Sequence, residues 1–84
     1  MSLKYFVYIL QCSDDSLYVG YTNDLEKRIY KHNNAKSGAH YTKIRRPVKL
    51  KYYEEFKTLT KALKREAEVK KWTRDKKLSL INGV

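Results

Sequence analysis

Residues 6–32, FVYILQCSDDSLYVGYTNDLEKRIYKH, decide the fold of this chain. The β-branched and aromatic residues over 5–11 predict a first strand, and residues 17–21 predict a second strand that pairs with it. Residues 13–15 (Ser-Asp-Asp) between the strands predict a three-residue turn, in which Asp15 takes the left-handed conformation that closes such loops. The stretch therefore predicts a β-hairpin followed directly by a helix.

The register of this hairpin brings two tyrosines together. With Cys12 opposite Ser16, Tyr8 falls opposite Gly20. Because alternate residues of a strand share a face, Tyr8 and Tyr18 are then diagonal neighbours on one face, and a shift of one residue would separate them. A glycine inside a strand often marks the close approach of another group, so Gly20 is expected to sit against something.

The helix after the hairpin is predicted to run from about residue 24 to residue 33. Asn23 is expected to be its N-cap, with Glu26 completing a capping box. The three-and-four spacing predicts an inward stripe of Leu25, Arg28, Ile29 and His32. Leu25 and Ile29 are ordinary core residues, but a guanidinium and an imidazole on this stripe need a reason. The alternative to a functional role is an arginine that reaches solvent and a histidine bonded to the backbone.

The rest of the chain predicts an α+β fold with a small, mainly antiparallel three-stranded sheet flanked by helices, in the order β-β-α-β-α-α. We expect a long loop over 34–47, a third strand over 48–56, a helix capped by Thr60 that runs to about Lys71, and a short last helix capped by Thr73. No composition shift or repeat divides the sequence, so one domain over residues 1–84 is expected.

The second long helix carries a carboxylate on its inward side. Its apolar positions are predicted to be Ala62, Leu63, Ala67 and Val69. Glu66 lies among them, whereas Glu68 is predicted to point away. A carboxylate there either pairs with a cation or binds a metal. Further along, Trp72 is expected to anchor the core, and Leu78 and Ile81 are expected to pack inward.

Positive charge is concentrated in two regions of a chain whose formal net charge is +10. Residues 27–53 contain nine Lys or Arg and no Asp or Glu, and residues 57–77 contain nine more against three acids. The usual partner of such a field is a polyanion, so nucleic acid is the leading prediction. A well-solvated basic protein, or one that meets anionic lipid or an acidic protein, is the alternative.

Basic and aromatic residues that alternate in one loop suit a phosphate backbone and exposed bases. The residues expected to contact nucleic acid are Lys36, His40, Tyr41, Lys43, Arg45, Arg46 and Lys70. Tyr41 has an equally good alternative role, which is to pin the loop to the core.

Several classes of protein are excluded by what the sequence lacks. A single cysteine, Cys12, excludes an internal disulfide and suits a reducing compartment, so a cytoplasmic location is expected. The apolar run FVYIL is too short for a signal peptide or a membrane span, and no membrane partner is expected. The sequence has no zinc-ligand cluster, no phosphate-binding glycine loop and no Ser-His-Asp set.

The remaining constellation resembles the GIY-YIG nucleases. Phe6-Val7-Tyr8 is similar to the first motif of that family, and Tyr18-Val19-Gly20 is similar to the second. Arg28 matches the family's helix arginine, His32 matches a histidine found in many members, and Glu66 in ALKREAEVKK matches its metal-binding glutamate. The likeness spans about residues 5–81 and is greatest to the small single-domain members, which carry a stretch similar to YTKIRRPVKL. One departure is that Phe6 stands where the first motif has glycine.

The resemblance implies a metal-dependent endonuclease acting on DNA, with a site formed by Tyr8, Tyr18, Arg28, His32 and Glu66. Glu66 would hold a weakly bound Mg²⁺ or Mn²⁺, Arg28 would grip the phosphate, and His32 would orient or protonate a phosphate oxygen. One tyrosine would be the general base, and the motif does not decide between Tyr8 and Tyr18, although Tyr8 is slightly preferred. Arg28 and a dication are expected to lower the pKa of that tyrosine. No separate recognition domain is expected in this sequence, so specificity would come from nucleic-acid shape, from the loop over 34–47 or from a protein partner.

Two other functions remain open at this point. One is a nucleic-acid-binding domain, for DNA or RNA, that keeps this fold and cleaves little or not at all. The other is an adaptor whose basic surface meets an acidic protein. In those cases Tyr8 and Tyr18 would be ordinary strand aromatics, and Glu66 would form a salt bridge with Arg28 or Lys70.

Overall fold

A three-residue turn and a consistent hairpin register organise the sheet, as the sequence predicts. The computed structural model describes residues 4–34 and 40–83; within them, the side chains of His40 and Tyr41 are not described. Asp15 has a φ of 66°, and the Cys12 amide donates to the Ser16 carbonyl at 2.9 Å, which closes the turn. The predicted left-handed residue and the predicted loop length are both confirmed.

The described chain forms an α+β fold around one antiparallel sheet, which confirms the predicted fold class. The order of the strands in the sheet is β2-β1-β3, so the first strand is central. The elements in chain order are β1 (Tyr5–Gln11), β2 (Leu17–Thr22), α1 (Leu25–Asn34), α2 (His40–Lys43), β3 (Lys49–Phe56), α3 (Leu59–Lys70) and α4 (Arg74–Asn82).

Alternation along β1 gives the sheet two differently used faces. One face presents Val7 and Ile9, which pack with residues of α3 and α4 in an apolar cluster. The opposite face presents Tyr8 and Leu10, which pack with residues of α1 and with Val48. The pairing of Tyr8 with Gly20 and of Leu10 with Tyr18 is as predicted. The first motif's tyrosine is therefore buried in the centre of the sheet, beneath α1.

The start of α1 differs from the prediction by one residue. Asp24, and not Asn23, is the N-cap, because its carboxylate accepts a hydrogen bond from the Lys27 amide at 3.1 Å. The Asp24 amide in turn donates to the Thr22 hydroxyl at 3.1 Å, which places the cap directly after β2. The predicted capping box between Asn23 and Glu26 is wrong, and the inward stripe is right.

The segment predicted as a long loop contains a short helix, α2. Thr42 of this helix is fully buried, with 0 % of its surface exposed. The composition of this segment does not indicate a helix. The helical turn is stabilised by packing on α1 and not by an apolar repeat of its own.

Three predictions about α3 are wrong and two are confirmed. Thr58, and not Thr60, is the N-cap, since its hydroxyl accepts from the Lys61 amide and its backbone is extended. Ala62 and Val69 are buried as predicted, but Leu63 is 38 % exposed and Ala67 is also exposed. The stripe that faces the sheet follows 62, 66 and 69, so the helix is rolled away from Leu63.

The last helix agrees with the prediction. Thr73 is its N-cap, and its hydroxyl accepts from the Lys76 amide at 3.3 Å. Ile81 and Trp72 pack against the cluster on the α3 face of the sheet, and Leu78 is half-buried. The Arg65 guanidinium lies 4.9 Å from the centre of the Trp72 ring and the Lys76 ammonium lies 4.4 Å from it, so Trp72 is a core anchor that also contacts two cations.

Candidate active site

The Tyr8 hydroxyl lies at the centre of a small polar cluster inside the domain. Tyr8 is 1 % exposed, and its oxygen lies 2.9 Å from Nε2 of His32. The Nε–H of Arg28 donates to the same oxygen at 3.4 Å. Residues from β1 and from two turns of α1 therefore meet at one phenolic oxygen, as the shared face predicts.

Gly20 is the reason this hydroxyl fits into the sheet. A Cβ at position 20 would stand 2.5 Å from the Tyr8 oxygen and 3.1 Å from Cε1 of Tyr18. Real Cβ atoms do not approach another atom as closely as 2.5 Å, so a larger residue at position 20 would displace the Tyr8 ring and press against that of Tyr18. The predicted close approach at Gly20 is confirmed, and the group that approaches is the Tyr8 side chain itself.

Aromatic rings surround His32 on the side facing the sheet. The ring centre of Tyr18 lies 5.1 Å from that of His32, and the ring centre of Tyr8 lies 5.9 Å away, both edge to face. The two tyrosine rings are 6.4 Å apart. These are ordinary distances for favourable aromatic pairs, so the imidazole is held in one orientation by packing as well as by hydrogen bonds.

His32 is fully buried, since only 1 % of it is exposed. Its Nδ1 lies 2.7 Å from the Thr42 hydroxyl oxygen, which occupies the second ring nitrogen. Burial, aided by the positive charges of Arg28 and Arg46, lowers the pKa of His32 to about 4. The imidazole is therefore neutral at physiological pH, and both of its nitrogens are bonded to side chains.

The pKa of Tyr8 is raised, and not lowered as expected. Burial raises the pKa of Tyr8 to about 12, and the hydrogen bond from Arg28 only partly offsets that rise. The expected lowering by the arginine is present, but desolvation of a phenolate at this depth is the larger effect. Conversely, the hydrogen bond to Tyr8 raises the pKa of the Arg28 guanidinium.

Arg28 also opens onto the surface. It lines a cavity of about 390 Å³ together with Tyr5, Tyr21 and Leu59. It lines a second cavity of about 220 Å³ together with Lys27 and Lys31. Thr22 and Asn23 line both cavities, so the two adjoin at the arginine. The guanidinium thus contacts the buried phenol on one side and a surface groove on the other.

Glu66 is turned inward, as predicted, and not into solvent. Its side chain is 14 % exposed, whereas that of Glu68 is 55 % exposed. The Lys70 ammonium lies 3.5 Å from a Glu66 carboxylate oxygen. The negative charge of Glu66 contributes to the raised pKa of Tyr8, so the carboxylate interacts electrostatically with the phenol although α3 packs on the other face of the sheet.

The domain matches one family of known proteins over nearly its whole length. A model of the GIY-YIG catalytic domain matches residues 4–79. The chain belongs to the GIY-YIG family. This is a family of nucleases, usually endonucleases, and the resemblance drawn from the motifs is confirmed.

The relatives of this GIY-YIG domain are similarly small. The UPF0213 protein SSP2268 of Staphylococcus saprophyticus is 60% identical over 79 residues, which cover 94% of the chain and 95% of that protein. Among solved structures, the UPF0213 protein BH0048 from Bacillus halodurans has a TM-score of 0.61 and 41% identity, covering 95% of this chain and 84% of that one. The protein EF2693 from E. faecalis has a TM-score of 0.61 and 43% identity, covering 88% and 78%.

The predicted nucleic-acid contacts of the GIY-YIG domain fall into different environments. Lys43 is exposed, and Arg45 forms an ion pair with Asp14 at 3.0 Å. Arg46 donates to the backbone carbonyls of His32 and Lys31, so it completes the end of α1. Lys36 lies outside the described residues, as do the side chains of His40 and Tyr41, and Lys70 pairs with Glu66.

Three residues that lie at the candidate site were not predicted from the sequence. Lys27 and Lys31 follow Arg28 along one cavity, and their i, i+4 spacing on the helix was the available signal. Nothing in the sequence pattern indicated Thr42, since its contact with His32 depends on how α2 packs against α1.

A divalent cation fits this GIY-YIG site only as a weakly held ion. In residues 4–34 and 40–83, no three His, Cys, Asp or Glu side chains are grouped as a metal site. Glu66 offers one largely buried carboxylate, which suits an oxygen-preferring cation that keeps most of its waters.

In the same described ranges, no helix has both the length and the apolar character that a bilayer span requires.

Proposed function

We propose that this protein is a metal-dependent endonuclease that hydrolyses phosphodiester bonds in DNA, directed to its target by nucleic-acid structure or by a protein partner. The single observation that carries the proposal is the Tyr8 oxygen held between Nε2 of His32 at 2.9 Å and Nε of Arg28 at 3.4 Å. Tyr8 is a proton donor, Nε2 of His32 is a proton acceptor, and Arg28 is a cation suited to binding phosphate. The three groups meet in a strongly basic domain.

Arg28 binds the phosphate in this proposal. Its guanidinium reaches the surface groove, and its planar fork is suited to two oxygens of a phosphate. Burial is the main cause of the low pKa of His32, and the positive charge of Arg28 adds to it; the charge of a bound phosphate offsets that second contribution. Substrate binding therefore makes His32 a better proton acceptor at the moment when one is needed.

Tyr8 is the proposed general base, and His32 receives its proton. A free phenolate with a pKa of about 12 would cost about 7 kcal/mol at neutral pH, at 1.36 kcal/mol per pKa unit. Because that cost is large, the Tyr8 proton moves to Nε2 as the phenol oxygen takes a proton from the attacking water. The water oxygen forms the new bond to phosphorus, the bond to the leaving oxygen breaks, and that oxygen is protonated from solvent.

Glu66 is the proposed ligand of the cation. When bound, a cation such as Mg²⁺ or Mn²⁺ supplies neutralisation of charge on the phosphate and on the leaving oxygen. Lys70, the partner of Glu66 in this structure, is 52 % exposed and is free to swing toward a phosphate instead.

The substrate strand is proposed to follow the two cavities that meet at Arg28. Lys27 and Lys31 would neutralise phosphates on one side of the cleaved bond. On the other side, Tyr5, Tyr21 and Leu59 offer aromatic and apolar surface of the kind on which a base packs. The strand would therefore meet two lysines on one side of Arg28, which suit its phosphates, and an aromatic surface on the other side, which suits its bases.

The proposal is tested by incubating the protein with nicked, branched, single-stranded and duplex DNA, and with structured RNA, in Mn²⁺ and in Mg²⁺. We expect cleavage of at least one DNA substrate that stops when EDTA is added. Glu66→Ala should lose the activity, and Glu68→Ala on the same helix is the matched control, since that carboxylate is exposed. Cleavage that survives EDTA or Glu66→Ala would contradict the proposed role of the metal.

One observation favours a second candidate, a nucleic-acid-binding domain that cleaves poorly. Phe6 replaces the glycine of the first motif, and its ring packs edge to face on Tyr53, with centres 5.9 Å apart. This pair adds bulk next to Tyr8 on the face where a substrate would lie. Tight, salt-sensitive binding to DNA without metal-dependent cleavage of any substrate would favour this candidate.

A further inference from the structure

Thr42 belongs to a hydrogen-bonded chain that begins at Tyr8. Its hydroxyl oxygen lies 2.7 Å from Nδ1 of His32, and the residue has 0 % exposure. The chain Tyr8–His32–Thr42 thus joins β1, α1 and α2 through buried side chains. A polar group at such depth is retained only where its hydrogen bonds are satisfied.

The direction of this chain follows from the partners of the Tyr8 oxygen. Two hydrogen-bond partners of that oxygen are described, and Arg28 can only donate. The Tyr8 hydrogen is therefore assigned to His32 Nε2, because Tyr8 is buried and, among residues 4–34 and 40–83, His32 is the one acceptor described for that hydroxyl. A neutral imidazole has one N–H, so the hydrogen must be on Nδ1, where the Thr42 oxygen accepts it.

We propose that Thr42 is a positioning residue that holds His32 in the Nδ1–H tautomer, leaving Nε2 bare to accept the proton of Tyr8. In the other tautomer, Nε2–H would point at an oxygen that already accepts from Arg28, and the Tyr8 hydrogen would lose its partner. The low pKa of His32 agrees with a ring that stays neutral and therefore tautomeric at physiological pH.

The tautomer has a direct consequence for the proposed cleavage, and this part of the inference rests on the proposed function. When Nε2 receives the Tyr8 proton, the resulting imidazolium already has its Nδ1–H bonded to Thr42. The ring does not have to rotate or lose a proton before the next step. A substitution that removes the Thr42 acceptor leaves the Nδ1–H unsatisfied and favours the unproductive tautomer.

The first test reads the tautomer without any substrate. Long-range ¹⁵N NMR of the full chain at neutral pH distinguishes a protonated ring nitrogen from a bare one, and the chain has only two histidines. His40→Gln assigns the signals. We expect His32 to show a protonated Nδ1 and a bare Nε2 in the wild type and in Thr42→Ser. Thr42→Val, which keeps the shape and loses the hydroxyl, should shift most of the population to Nε2–H.

A protonated Nε2 in the wild type would overturn the proposal, and so would an unchanged tautomer in a folded Thr42→Val. If Thr42→Val does not fold, the wild-type spectrum still decides the tautomer, and Thr42→Ala replaces it as the variant.

The second test measures cleavage of a DNA substrate by the same variants. Thr42→Val should lower kcat by about 10- to 100-fold with little change in KM, and Thr42→Ser should restore most of the rate. Equal losses in the serine and valine variants would contradict a hydrogen-bonding role. If the wild type cleaves nothing, the proposed nuclease function fails, and the tautomer assignment stands or falls separately on the NMR result.

Discussion

At the residue scale, the proposed chemistry of this domain depends on one atom, the oxygen of the Tyr8 hydroxyl. Desolvation opposes the phenolate, and the Arg28 guanidinium favours it. Burial is the larger effect, so the raised pKa of about 12 means that Tyr8 remains a neutral phenol until another group takes its proton. Nε2 of His32, at 2.9 Å, is the proposed acceptor of that proton.

Replacing Tyr8 by phenylalanine tests this assignment. Tyr8→Phe keeps the ring packing and removes the oxygen, so we expect cleavage to fall by roughly 100-fold or more, as for the loss of a general base. Stability should fall by about 1–3 kcal/mol, since Arg28 and His32 each lose a buried partner. Cleavage rates and an amide NMR spectrum measure the two effects. Tyr30→Phe, at an exposed position on α1, is the control. A folded Tyr8→Phe protein with wild-type rates would remove Tyr8 from the mechanism.

Gly20→Ala tests the close approach inside the hairpin. The new Cβ would stand 2.5 Å from the Tyr8 oxygen, so the ring must move and the bond to His32 must weaken. We expect a destabilisation of about 1–3 kcal/mol, typical of overpacking, measured by urea unfolding. The cost should be smaller in a Tyr8→Phe background, because the nearest clashing atom is absent there. Equal costs in both backgrounds would show that the oxygen is not the obstacle.

At the scale of elements, α1 connects the buried site to the surface. Its inward stripe carries Arg28 and His32 toward the sheet, and Lys27 and Lys31 line the groove beside it. Its last carbonyls accept hydrogen bonds from Arg46, a residue that sequence reasoning assigned to nucleic acid. One helix thus provides the proposed phosphate clamp, the proton acceptor and the approach of the substrate.

Removing the two lysines of α1 tests the path of the strand. Lys27→Ala combined with Lys31→Ala should weaken DNA binding and reduce the dependence of log K on log salt by about one for each lost phosphate contact. Fluorescence anisotropy at several salt concentrations, without divalent metal, measures this. The matched control is Lys61→Ala with Lys64→Ala, at exposed positions of α3, which should keep the wild-type slope. Equal slopes in both double variants would contradict the proposed path.

At the scale of the whole molecule, burying a neutral histidine makes stability depend on pH. The pKa of His32 is about 4 in the folded protein and 6.5 in its ordinary state. Between those values the unfolded chain binds the additional proton, so folding stability is lost as pH falls through this window. Hydrogen bonds lower the pKa values of the Asp14 and Glu54 carboxyls. The stability that these carboxylates contribute is therefore lost at a lower pH than the contribution of His32.

We therefore expect the free energy of unfolding to fall by about 3 kcal/mol for this group between pH 6.5 and pH 4. Urea unfolding of the wild type and of His32→Gln at several pH values isolates the contribution, because glutamine keeps hydrogen-bonding capacity and does not titrate there. Parallel pH profiles for the two proteins would contradict a buried neutral His32.

Local sequence patterns are sufficient to predict the hairpin, its register and the inward stripe of α1, because the side-chain periods of strand and helix are local properties. Those local periods placed Tyr8 against Gly20 and brought Arg28 and His32 to the same face. The five short motifs then identified the family, which the match over residues 4–79 confirms.

Only the tertiary structure decided how deep these groups lie and what completes them. The burial that raises the pKa of Tyr8 depends on α1 covering the sheet, and the contact of Thr42 with His32 depends on how α2 packs on α1. The caps at Asp24 and Thr58 were misplaced by one and two positions for the same reason. Several residues near each helix start can cap, and the backbone entering the helix selects one of them.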